Sequence, residues 1–320
     1  MLRIFQSIFG GNEKKGSYPE SLLKAAVERA VEGTDPWMRA VSGYKRKLRP
    51  AVLQAIDHVV ALVDSMPAAI TLDRAAYEDS PLVRAVFISR DDMSSIIATS
   101  RELAEFRKSS GEVRAAYALL LTEKQERGVL GAEMSGDIVM HGVPQVTVSF
   151  ESHRLIDPSS TEDELRRKLK HRAFDHLLSL ALKRITIVKT ERGKIENYRA
   201  LLESKLNVLN RAGWGFNDDG QEEVTELEKA EELLARIGSQ LNEIGRDDQM
   251  LGKYLDILID VLSDPGSYLW TRQETVVVDR MGIKRSETAS DAPELVLDTL
   301  CNAEGRSLVC MPVMIPMEKP

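Results

Sequence analysis

The chain has 320 residues, of which 43% are hydrophobic and 29% charged, and a formal net charge of −7. That length can bury a large core and accommodate about two domains, while the acidic balance argues against general nucleic-acid binding. Cys301 and Cys310 are too few for a disulfide framework or a zinc set, no apolar run is long enough to span a bilayer, and there is no secretory leader pattern, so a cytoplasmic protein is expected.

Residues 1–16 read as an amphipathic segment on a tether. Leu2, Ile4, Phe5, Ile8 and Phe9 share one broad helical face, with Arg3, Gln6 and Ser7 opposite and Gly10 and Gly11 behind them. Such a terminus can lie in a membrane interface or dock on a partner, against the plainer alternative that it folds back on its own domain. These five residues are candidate membrane or partner contacts, with weak peripheral attachment through residues 1–11.

Residues 17–111 read as a helical domain of four or five helices. One opens at Pro19 and ends at Gly33, a second starts at Asp35-Pro36, and a third runs after Pro50 to Pro67. Lys45-Arg46-Lys47-Leu48-Arg49 is a compact basic run that could touch phosphate or an acidic headgroup, or be a solvated helix end. Residues 68–77 read as irregular, Ser80-Pro81 starts a short helix, and Ser89 with Asp92 resembles a capping box launching a helix to about Lys108.

From Arg114 the period changes to two. Three strands are expected, over 114–121, 129–140 and 146–150, with turns at 125–128 and 142–144. This meander, residues 112–157, and the strand-like runs of 266–320 are expected to form one antiparallel sheet. Between them, residues 158–265 read as an inserted antiparallel coiled-coil hairpin. Phe174, Ala181, Val188, Ile195, Leu202 and Leu209 recur every seven residues, as do Leu227, Leu234, Leu241, Leu255 and Leu262. The breakers at 213–220 separate the two arms. The first arm carries a net charge of +8 over 166–199 and the second −8 over 218–248, which suits side-by-side pairing. Arg184 to Val188 is β-branched enough to allow a strand, but the heptad passes through it and favours helix. The fold class expected is therefore α+β.

No arrangement forces a reaction class. There is no phosphate-cradling glycine loop, no dinucleotide fingerprint and no nucleophile elbow. His171 and His176 sit about 140° apart on their helix and cannot share a metal, whereas His141 and His153 could meet across the meander turn. Cys301 and Cys310 could face each other across the last hairpin. Asp248 falls in the apolar seam, where Arg192 or Arg199 could answer it. No cofactor is implied. Trp214 and Phe216, at the hairpin tip, are the candidate partner-binding residues, against the alternative that both rings plug the seam locally.

These features point to a non-catalytic protein-protein interaction or scaffold protein. The alternatives are an enzyme with a cleft between helical domain and sheet, and a nucleic-acid binder using the basic helix 166–199. A protein partner is expected, nucleic acid is disfavoured, and self-association through the coiled coil stays open.

Overall fold

The computed structural model describes residues 18–111, 113–135, 138–211, 231–241, 247–286 and 292–317. The fold is α+β, with an antiparallel sheet and one very long helix. The chain forms two compact units. Among the described residues, one comprises Tyr18, 56–174 and 265–317, and the other 19–55 and 175–264.

The sheet belongs to the first unit. Its strands are β1 (Ile70–Thr71), β2 (Ala115–Ser135), β3 (Ile138–Ser159), β4 (Leu269–Val277), β5 (Glu294–Asn302) and β6 (Ser307–Pro316). The order is β3-β2-β6-β5-β4, with β1 added parallel to β6 at Ile70↔Val313. Strands from both sides of residues 162–263 thus share one sheet.

The expected three-stranded meander is instead a single hairpin of two strands more than twenty residues long. Gln125, Gly128 and Pro144, read as turn residues, lie within the ladder opposite Ser149, Val146 and Leu130. The extra residue near Gly142 (φ +77°) is absorbed as a bulge, where the register shifts between Gly131 and Ala132. With no turn there, His141 and His153 lie on the same strand, about 40 Å apart at ~3.3 Å per residue.

After Val278 the chain turns sharply, and Ile283 and Lys284 run back beside it. This returning segment pairs with β3 on its other side. Val148 donates its N–H to the Gly282 carbonyl at 2.7 Å, and Lys284 donates to the Val146 carbonyl at 2.8 Å. The hydrogen-bonded path from β3 through β2, β6, β5 and β4 therefore returns to β3 as a closed ring. Its inward residues, including Ala116, Ala118, Leu120, Val148, Phe150, Leu295, Leu297, Val309, Met311 and Val313, form one buried cluster.

Helices α4 (Pro81–Val86), α5 (Arg90–Thr99) and α6 (Arg101–Ser109) add Val83, Val86, Met93 and Leu103 to that cluster, and α3 (Arg74–Asp79) packs the partly buried Tyr77 against it. The span 68–77, expected to be irregular, holds β1 and the start of α3, which Asp73 caps. The expected helix 89–108 breaks at Ser100, whose backbone turns extended and whose hydroxyl caps α6.

In the second unit, α1 (Glu20–Glu32) precedes a 3-10 turn, Pro36–Ala40, where an α-helix was expected. Helix α2 (Tyr44–Asp64), which belongs to this unit as far as Ala55, runs through Pro50 rather than starting after it. Buried Leu48, Ala51 and Val52 offset the roughly 3 kcal/mol that a proline costs inside a helix. Helix α7 (Glu162–Arg211), which belongs to this unit from Asp175 on, is continuous, and Thr186 and Thr190 bond the carbonyls four residues back at 2.8 Å each. It is followed by a helical stretch at 231–241 (α8) and by α9 (Asp247–Ser263).

The buried Asp35 carboxylate accepts Lys189 at 2.6 Å and the Trp37 N–H at 3.0 Å. The Lys189 ammonium also lies 5.0 Å from the Tyr254 ring centre. With the Arg184–Asp260 pair at 2.7 Å, this contact links α7 and α9 in antiparallel sequence order.

Gly282 has φ +79° and a Cβ there would sit 3.1 Å from the Val148 carbonyl, so Gly282→Ala should destabilise by about 1–3 kcal/mol in urea titration. In the helix α9, Gly252 has open space around it, and Gly252→Ala should instead stabilise by about 0.4–1 kcal/mol. Equal effects from the two substitutions would contradict the closure described above.

Candidate functional site

Two features of the first unit stand out when its inward and outward faces are followed along the strands. The first is a change of character along the inward row of β2. Residues two apart share a face, so Ala116, Ala118, Leu120, Thr122, Lys124 and Glu126 all point the same way. The row runs from apolar through a buried threonine to charge. Directly opposite are Phe150 (to Lys124) and Val148 (to Glu126), both buried. On β4, Glu274 lies opposite buried Leu297 and so shares that face.

These charges satisfy one another. Lys124 reaches Glu126 at 2.9 Å and Glu274 at 2.5 Å, and Lys284 reaches Glu126 at 3.1 Å. Burial pulls the Lys124 ammonium toward a lower pKa, but its hydrogen bonds to Glu274 and Glu126 outweigh that and hold it above the ordinary lysine value. Hydrogen bonds from Lys124 and Lys284 hold the Glu126 carboxyl below the ordinary glutamate range, against the opposing effect of burial. A network of alternating, mutually paired charges does not offer an acid or base poised near neutrality. Its chemical effect is to tie β2 to β4 and to the segment that closes the ring.

The second feature is the distal part of the β2–β3 hairpin. Among the described residues, strand β6 accompanies β2 as far as Thr122, and the closing segment meets β3 around Thr147. Residues 128–135 and 138–145 therefore continue, among the described residues, as a two-stranded ribbon. Of the fourteen large hydrophobic residues exposed among the described ones, five lie within its span or at its base: Val129, Leu130, Val139, Met140 and Val146. Leu130 is 77% exposed. The ladder places Leu130 and Val139 on one face and Val129 and Met140 on the other, so the ribbon is apolar on both sides. A concentration of this kind marks an interaction surface more often than scattered exposed residues do.

Trp214 and Phe216, and Leu2, Ile4, Phe5, Ile8 and Phe9, lie outside the described residues, as does the side chain of Asp248. Arg192 and Arg199, its expected partners, bond Glu196 and Glu203 on their own helix, both at 2.7 Å. The basic stretch 166–199 is neutralised mostly close to home. At least eight of its eleven cations pair with carboxylates, among them Lys170 with Asp64, Arg172 with Asp157 and Lys189 with Asp35. Only Arg184, through Asp260, reaches α9 in these pairs.

Cys301 lies opposite Ser307 rather than Cys310. Burial, and then the Asp298 charge, push the Cys310 thiol up to about 12, so it stays protonated and unreactive. His153 stacks on Phe87 at 5.2 Å and its Nε2 lies 2.8 Å from the Val86 carbonyl, a half-buried histidine packed against the core. Among the described residues, no group of three or more His, Cys, Asp or Glu could hold a metal ion. No helix among them is long and apolar enough to cross a membrane. Comparison of the chain with protein-family models, curated proteins and solved structures finds no match.

The linked charges make the sheet sensitive to pH in a defined sense. The lowered pKa of Glu126 means that its contribution is present above the ordinary value of 4.5 and is lost as pH falls through the folded-state value. The raised pKa of Lys124 means that its contribution is present below 10.5 and is lost as pH rises through the folded-state value. Lys124→Gln should cost about 1–3 kcal/mol at neutral pH and flatten the acid limb of the urea midpoint plotted against pH. An acid limb unchanged by the substitution would remove the cluster as its source.

Proposed function

We propose that this chain is a non-catalytic interaction protein that docks protein partners through exposed apolar surface. The ribbon at 128–146 carries the reading, because an isolated two-stranded ribbon is marginal in water and this one exposes apolar side chains on both faces. A partner that covers those faces would bury them and stabilise the ribbon at once. Leu130 and Met140, on opposite sides, are the proposed anchors.

The helices of 162–263 fit the same role as a coiled-coil hairpin that presents a second contact. Helix α7 has 50 residues, about 75 Å at ~1.5 Å per residue. Ile187, Tyr198 and Leu201 are exposed and fall within about 60° of one another around it. Trp214 and Phe216 are the contact proposed beyond that row. Self-association through the hairpin is the variant in which the partner is a second copy. The setting proposed is the cytoplasm, with residues 1–11 as an auxiliary contact to a membrane surface.

The paired state of the basic stretch favours this reading over phosphate recognition, since most of those cations already hold carboxylates. In a photo-crosslinking experiment with the probe placed at 130 or 140, the full chain should give discrete adducts. Leu130→Glu with Met140→Glu should weaken capture of those partners about tenfold or more, the loss expected of interface anchors. Trp214→Ala with Phe216→Ala should do so for partners held by the hairpin. If both double variants retain every partner of the unsubstituted chain, the interaction reading fails.

A further inference from the structure

In the second unit, the segment from Asp35 to Arg49 displays an indole beside a group of cations. The 3-10 turn Pro36–Ala40 and the start of α2 are anchored by Met38 and Leu48, both fully buried. With Met38 turned inward, its neighbour Trp37 is 76% exposed. The Trp37 N–H is held by the buried Asp35 carboxylate, so the ring is presented from a fixed main chain. Five cations follow within twelve residues: Arg39, Lys45, Arg46, Lys47 and Arg49.

Three of these cations are tethered. Arg39 and Lys45 share Glu28 at 3.2 and 2.9 Å, and Arg49 pairs with Glu20. Arg46 and Lys47 are exposed and have no carboxylate partner among the described residues. The five cations and the two glutamates that tether three of them sum to +3, with Asp35 already answered by Lys189, in a chain whose formal net charge is −7. The local charge is therefore opposite to the overall one.

We propose that this face rests on an anionic lipid surface, with Trp37 at the boundary between headgroups and acyl chains and with Arg46 and Lys47 among the headgroups. An indole pairs an apolar ring with one N–H donor, which is why tryptophan concentrates at membrane–water interfaces. Cations beside it supply the attraction that makes such binding depend on anionic lipid. Single-stranded nucleic acid would use the same two ingredients. It requires a basic groove that follows several nucleotides of backbone, however, and here Glu20 and Glu28 flank a patch limited to a short turn and the start of one helix. A surface touched at one place matches that extent better. The proposal goes beyond the protein-partner reading and needs neither the ribbon nor residues 1–11.

The test is co-sedimentation of the full chain with vesicles of phosphatidylcholine alone or of phosphatidylcholine mixed with phosphatidylserine. Binding is expected only with phosphatidylserine and should fall with added salt. Trp37→Ala, at an exposed position, should lower the bound fraction about fivefold or more, and Arg46→Gln with Lys47→Gln should do the same and remove most of the salt dependence. A second readout follows Trp37 directly. With Trp214→Phe and Trp270→Phe it is the sole indole, and its emission should shift to the blue and be quenched by brominated acyl chains. Absence of binding to anionic vesicles would overturn the proposal. So would binding that Phe5→Ser with Phe9→Ser abolishes and Trp37→Ala leaves intact, since the terminus alone would then be responsible. A Trp37 response to a single-stranded DNA oligonucleotide but not to vesicles would overturn it in favour of nucleic acid.

Discussion

Two main-chain hydrogen bonds, from Val148 to Gly282 and from Lys284 to Val146, join the last part of the sheet to its first strand. Without them the strand order β3-β2-β6-β5-β4 would leave two long edges, each a row of unpaired peptide groups open to another chain. With them, the inward faces of five strands converge on one apolar cluster. The paired charges at Lys124, Glu126, Glu274 and Lys284 depend on the same approach, since Lys124 and Glu274 are 150 positions apart in sequence. The ribbon depends on it too, because residues 128–145 outrun the strands that would otherwise accompany them.

The second unit is held by a different device. There a buried carboxylate, Asp35, receives both a lysine from α7 and a backbone N–H from its own turn. Burying a charge is tolerated when hydrogen bonds and an opposite charge answer it, and removing one partner leaves the other exposed to the full desolvation cost. The same lysine lies beside the Tyr254 ring, so one side chain joins a 3-10 turn, the long helix and α9. The first unit closes through peptide groups, whereas this junction is made by an ion pair set beside a buried apolar core.

Local signals in the sequence were good guides to helices. Ser80 and Ser89 cap α4 and α5 as their positions suggest, and the seven-residue repeat through Ala181 and Val188 outweighs the β-branched character of 185–188. The strands of 269–277, 294–302 and 307–316 were legible from alternation and turn residues. Punctuating residues misled where long-range pairing absorbed them. Gly128, Gly142 and Pro144 read as turns, yet a partner strand on one side carries the ladder past all three. Pro50 read as a start and sits inside a helix because the residues around it are buried. The charged quartet could not be found from one sequence, since nothing local distinguishes Lys124 or Glu274 from solvated residues. The ribbon left one trace, the apolar Val129, Leu130, Val139 and Met140 on either side of polar residues. Recognising it required knowing that the strands on both sides stop short.

A seam written in peptide groups is largely indifferent to the side chains that border it. The seam is made by the carbonyls of Val146 and Gly282 and the amides of Val148 and Lys284, groups that a substitution leaves in place unless it brings proline to an amide position. The exception is Gly282, whose left-handed backbone, with the Val148 carbonyl 3.1 Å from where a Cβ would sit, penalises any side chain. Related chains could therefore diverge freely along this border while keeping its path, provided that one position stays without a side chain.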